Sequence, residues 1–165
     1  MELMMSVAQL LVDNIKLSKM MTENLLADFS EQDMLFRPAK GANHATWQIG
    51  HLATATWGMM QGCDPTTKSP VADETRFKKD TAGVDDPAKF PKKAEVIKMF
   101  TDAMDAAAAW AGKLTEADMA KPSPERMQKF APTVGNVALL LASHPMMHLG
   151  QYTVARRALG KPVIF

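Results

Sequence analysis

His144 and His148 stand four residues apart in the run His144-Pro145-Met146-Met147-His148-Leu149-Gly150-Gln151. Side chains at that spacing on a helix project from the same face, so two imidazoles placed this way can share one divalent ion. A third, His51, lies in a comparably uncharged stretch far earlier, and these are three of the chain's four histidines. Three neutral ring nitrogens around an ion leave a coordination position open for water or substrate. A single histidine on an apolar face is usually a core residue bonded to a backbone carbonyl. Three buried together without an ion would need separate partners for several ring nitrogens, at about 1–3 kcal/mol for each left unmet. A divalent metal satisfies all three, and zinc or nickel suits imidazole better than magnesium does.

The surroundings of these residues narrow the chemistry. Gln151 follows His148 by about one turn and suits either a contact to a ligand or substrate or an ordinary interhelical hydrogen bond. Trp47 lies beside His51 on the helical wheel with Ala55 and Gly58, one bulky wall and two small residues. These leave room next to the imidazole or simply allow close helix packing. The stretches that carry the three histidines contain no Asp or Glu near them. The ion itself must therefore activate a water or a thiol, unless Asp64 or Asp73 reaches in from the following connection. Glu-x-x-His motifs of di-iron bundles are absent, and His144 is followed by proline, not by the glutamate of zinc peptidases. Cys63, a candidate fourth ligand or nucleophile by type, falls about three turns beyond His51, roughly 18 Å along a helix, and reads as structural or incidental. His44 reads as a surface or capping residue, and the methionines as adaptable core filler and not a copper site.

Four helices are needed to position this set. Val7, Leu11, Ile15, Met21, Leu25 and Phe29 recur at helical spacing and predict a first helix over about 5–29. Asn14, Ser18 and Thr22 interrupt its apolar stripe. They either face something polar inside the protein, which would bring Asn14 and Ser18 to the site, or bond back to the preceding turn. A second helix, capped by Asn43 or Thr46, runs to about 61 and carries no charge on any face, as expected of a helix buried between others. From 64 to 91 periodicity is lost among Pro65, Pro70, Gly83 and Pro87. A connection this long either crosses over the domain or covers a site, with Phe77 and Phe90 as its anchors. A third helix spans about 92–114, with Ile97, Phe100, Met104, Ala107, Ala111 and Leu114 inward. A fourth, capped by Thr133, spans about 134–159 and ends at Gly160. Its core face is read as Val137, Leu140, Leu141, His144, Met147, His148, Gln151 and Ala155. Pro145 deletes one backbone hydrogen bond from this helix and predicts a kink, which is either tolerated or adjusts the angle between the paired imidazoles.

Composition excludes several classes. At 165 residues the chain suits a single domain with a substantial core. A net charge of +1 gives no attraction to nucleic acid or to an anionic membrane. The uncharged runs 41–63 and 130–155 are too heavily interrupted by polar residues to span a bilayer. One cysteine allows no intramolecular disulfide, and Met1-Glu2-Leu3-Met4 lacks the basic region of a secretory signal, so a cytoplasmic location is expected by default.

Trp47-Gln48-Ile49-Gly50-His51-Leu52 and the run from His144 to Gln151 resemble the two motifs of the DinB-like superfamily, and the resemblance spans nearly the whole chain. It implies an all-α fold, an antiparallel four-helix bundle with a long crossover between helices 2 and 3, often dimeric. It also implies a divalent metal held by one histidine of helix 2 and two of helix 4, which here are His51, His144 and His148. Pro145 departs from the usual pattern. Relatives of this kind include thiol-dependent S-transferases and a mycothiol-dependent maleylpyruvate isomerase, and the family's name implies no contact with DNA. The expected function is metal-dependent activation of a low-molecular-weight thiol or of water, S-transferase-like or hydrolase-like, on a small-molecule substrate. The alternative is a non-catalytic, stress-related bundle that binds a metal or ligand. A homodimer is suggested by the family and by the apolar tail Pro162-Val163-Ile164-Phe165, which could equally pack on its own subunit.

Overall fold

The computed structural model describes residues 5–165, so the expectation drawn from Met1 to Met4 lies outside the described residues. Those residues are all-helical, with seven α-helices and no strand beyond one isolated bridge between Pro122 and Thr133. The long ones are α1 (Val7–Leu26), α3 (Ala45–Cys63), α4 (Lys93–Ala111) and α7 (Val134–Ala158). The short ones are α2 (Glu31–Met34), α5 (Glu116–Met119) and α6 (Glu125–Gln128). The four long helices match the four read from periodicity.

Local chemistry sets the ends. The Ser6 hydroxyl accepts from the Gln9 amide and opens α1. This helix ends three residues earlier than its apolar stripe suggests, because Ser30 and Asp33 form a reciprocal capping box that starts α2. The cap of α3 is neither Asn43 nor Thr46. It is His44, whose Nδ1 accepts from the Trp47 amide at 3.1 Å, and the ring is buried, not on the surface. Thr133 and Asn136 form the box that opens α7. That helix continues through Pro145 as one element, with the proline ring buried.

α1 packs chiefly on α4 and α7, and α3 packs chiefly on α4 and α7, an arrangement consistent with a four-helix bundle. Ile15, Leu26, Ile49, Leu52, Phe100 and Leu141 are fully enclosed where the four meet. Each contributes about 1.5–3 kcal/mol by leaving water. Ser18 and Thr22, also fully buried, donate to the carbonyls of Ile15 and Ser18, and Asn14 donates to Leu10 O. The interruptions in the α1 stripe are thus satisfied within α1 itself. Arg156, which as a charge belonged outside, is 2 % exposed. Its guanidinium donates to the Asp28 carboxylate and to the carbonyls of Leu25 and Pro162, tying together the end of α1, α7 and the C-terminal tail.

The connection from α3 to α4 contains three short 3-10 turns, Glu74–Phe77, Lys79–Thr81 and Pro87–Lys89. Phe77 and Phe90 anchor it as buried side chains. Phe77 lies against Gly50 so closely that a methyl group there would overlap its ring. Arg37 holds the far end by donating to the carbonyls of Ala82 and Val84. This segment is thereby laid along α3 beside His51. No described helix is long and apolar enough to cross a membrane.

Candidate metal centre

His51 on α3 and His144 and His148 on α7 present ring nitrogens that all lie within 4.8 Å of one another, a set that could hold a metal ion. The rings are 5.2 Å apart between His51 and His144, 5.2 Å between His144 and His148, and 5.9 Å between His51 and His148, centroid to centroid. None of the three rings is stacked on another. Trp47 stacks flat on His51 at 5.0 Å, and its indole N–H donates to the Thr81 hydroxyl at 2.9 Å. The imidazole of α3 is therefore backed by a ring that is itself tied to the crossover.

A hydrogen-bond chain determines which nitrogen of His148 is free. The Gln48 side-chain NH2 donates to Asn43 O at 2.7 Å, which turns its Oε1 toward His148 Nδ1 at 2.8 Å. An amide oxygen can only accept, so Nδ1 carries the proton and Nε2 keeps its lone pair. The Phe77 backbone, close to His51, partly offsets the effect of burial on that ring. Burial disfavours a second proton on each ring. It pushes His51 down, and with the neighbouring imidazoles it pushes His144 and His148 down to about 4. At neutral pH all three are uncharged nitrogen donors. This donor chemistry fits a borderline divalent ion without competition from protons.

The family model of the DinB superfamily matches residues 15–152. This chain belongs to the DinB superfamily. Among solved structures, the chain is similar to the crystal structure of the conserved protein of a locus from Enterococcus faecalis, at 17 % identity and a TM-score of 0.72, covering 96 % of this chain and 100 % of that one. That likeness is one of fold. No curated protein matches the chain significantly in sequence.

The DinB-superfamily helix α7 places the histidines somewhat differently from the helical-wheel reading. His148 is buried, but His144 sits at the edge of the buried stripe, which runs through Leu141, Pro145, His148 and Tyr152. At 3.6 residues per turn, positions 147 and 151 fall on the solvent side of His144. Met147 is accordingly exposed, and so is Gln151, which makes no hydrogen bond to the imidazoles. The glutamine bonded to the centre is Gln48, from the facing helix. Asn14 and Ser18 do not belong to the site either, since both are bonded within α1 and neither lines the cavity beside His51. Trp47 does stand beside the centre.

That cavity has a volume of about 450 Å³ and His51 in its wall. Ala55 and Gly58 do leave room, for both line it, and nothing lies within 4 Å of where a Gly58 methyl would point. Neither Asp64 nor Asp73 lines this cavity. Asp64 bonds to Thr66, and Asp73 caps the first 3-10 turn and pairs with Arg76. The carboxylate that does line the cavity is Glu74. Cys63 is half-buried at the end of α3, and burial pushes its thiol up, away from nucleophilic form.

Proposed function

We propose that this DinB-superfamily protein is a metal-dependent enzyme that activates a low-molecular-weight thiol or a water, working on a small-molecule substrate as an S-transferase or hydrolase. The single observation that carries this reading is the convergence of three neutral imidazoles, with His51 in the wall of a cavity large enough for a small molecule. His51, His144 and His148 would hold zinc or nickel, and that ion would supply a Lewis-acid charge that lowers the pKa of a bound thiol or water. Gln48 fixes the tautomer of His148, Trp47 fixes the plane of His51, and burial keeps both rings neutral. Glu74 is the carboxylate that lines this cavity.

The proposed framework is an antiparallel four-helix bundle with the α3–α4 connection as its crossover, supported by the pairwise packing of α1, α3, α4 and α7. A homodimer is proposed from the apolar residues left exposed on α1 and α7, Leu10, Leu17, Met20, Leu139 and Val154, together with Val163 and Phe165 of the tail. Metal-free, zinc-loaded and nickel-loaded protein should be compared for transfer of a small thiol to a chromogenic electrophile and for hydrolysis of a chromogenic ester. Metal-dependent turnover of either kind, lost in His148→Ala, is the expected result. Stoichiometric metal binding with neither activity would replace the enzyme by a non-catalytic metal-binding protein.

A further inference from the structure

The cavity beside His51 is asymmetric in a way the metal centre does not require. Its buried and half-buried lining is largely apolar, with Ala55, Met59, Phe77 and Met127. Its exposed lining carries three cations, Lys78 and Lys79 from the crossover and Arg126 from α6, against the one carboxylate of Glu74, together with Phe130. Arg126 Nη2 donates to the Gly58 carbonyl of α3 at 3.1 Å. The whole chain is almost neutral, at +1, so this positive excess is local and coincides with a cavity that reaches a histidine of the centre. Among the described residues neither lysine makes an ion pair, which leaves both charges available to a ligand.

An apolar pocket with a few charged groups at one end selects a ligand with an apolar body and one charged end of opposite sign. From this cavity we infer that the substrate is an amphiphilic organic anion, a carboxylate or an equivalent acid, whose apolar part lies on Met59, Phe77 and Met127 and whose charge meets Lys78, Lys79 and Arg126. The inference rests on the enzyme reading above for the word substrate, but the binding preference itself does not depend on a metal. With the anionic end held by these exposed cations, the apolar body occupies the cavity that His51 also lines.

The test uses phenylbutyrate, its neutral amide and phenylbutylamine as probes, titrated calorimetrically into both metal-free and zinc-loaded protein. In the metal-free protein the acid is expected to bind about tenfold tighter than the amide, and the amine more weakly than either, as expected for several partly exposed charge contacts acting together. Lys78→Ser/Lys79→Ser/Arg126→Ser should abolish the difference between acid and amide. Because Arg126 also bonds to α3, Lys78→Glu/Lys79→Glu is the second variant, with both changes at exposed side chains, and should reverse the order of acid and amine. Equal binding of acid and amide to metal-free protein, no binding of any probe, or a preference that survives both variants overturns the inference. Loss of the metal reading would show separately, as failure to retain zinc while the anion preference persists.

Discussion

Gln48→Leu is the substitution that most sharply tests how the centre is organised. Leucine keeps the bulk of a side chain only 3 % exposed but removes the acceptor 2.8 Å from His148 Nδ1. The Nδ1 proton is then buried without a partner, at a cost of about 1–3 kcal/mol. The ring recovers part of that by turning, or by moving its proton to Nε2, and either response withdraws the lone pair offered to the ion. Since about 1.4 kcal/mol is a factor of ten, zinc affinity should fall by about ten- to a hundredfold. Competition against a chromophoric chelator near neutral pH reads this directly. Gln48→Glu keeps an oxygen acceptor and should lose much less affinity, which separates the hydrogen bond from general damage to α3. Unchanged zinc affinity in Gln48→Leu would refute the reasoning, because His148 would then hold its orientation without the chain from Asn43 through Gln48.

Further outcomes follow from other contacts. His148 is lowered from 6.5 to about 4 in the folded chain, so the unfolded chain takes up the proton first as pH falls, and metal-free protein loses stability from about pH 6.5 downward. The loss from this residue is on the order of 1–3 kcal/mol by pH 4. Denaturant midpoints that stay flat between about pH 7 and 5, above the carboxylate range, would contradict this. Gly50→Ala should destabilise by about 1–3 kcal/mol, read as a lower melting temperature, because the added methyl overlaps the Phe77 ring and must push the crossover off α3. Arg156→Ala leaves the carbonyls of Leu25 and Pro162 without their donor and should cost about 2–4 kcal/mol in chemical denaturation. Light scattering should report a dimer that Leu17→Lys dissociates, and a wild-type monomer at micromolar concentration would remove the dimer from the account.

The convergence of the histidines was legible because it needs only helical spacing within α7 and an uncharged helix around His51. The four long helices and the caps at Thr133 and Gly160 were legible for the same kind of reason, since periodicity and capping are local. What could not be read was anything fixed across elements. Gln48 sits next to Trp47, yet its partner is a hundred residues away, whereas the glutamine near the paired histidines in sequence is Gln151. A wheel gives relative directions but not the direction of the core, so placing His144 at the centre of the stripe carried Met147 and Gln151 inward with it. The burial of Arg156 follows from Asp28 and two carbonyls that meet it only in the folded chain. Glu74, Lys78, Lys79 and Arg126 lie outside the long periodic helices, where no pattern assigns a residue to a cavity. Ser18 and Thr22 show the opposite case, polar residues in a core stripe whose needs are met one turn away.

The central claim is that His51, His144 and His148 form one metal site, and elemental analysis of protein purified without a histidine tag tests it most directly. The account predicts about one zinc or nickel ion per chain, reduced to a small fraction in His51→Ala and in His148→Ala while helical content is retained. Protein that carries no stoichiometric divalent metal and takes up none from solution, or a His148→Ala variant that binds metal as tightly as the parent, would contradict it.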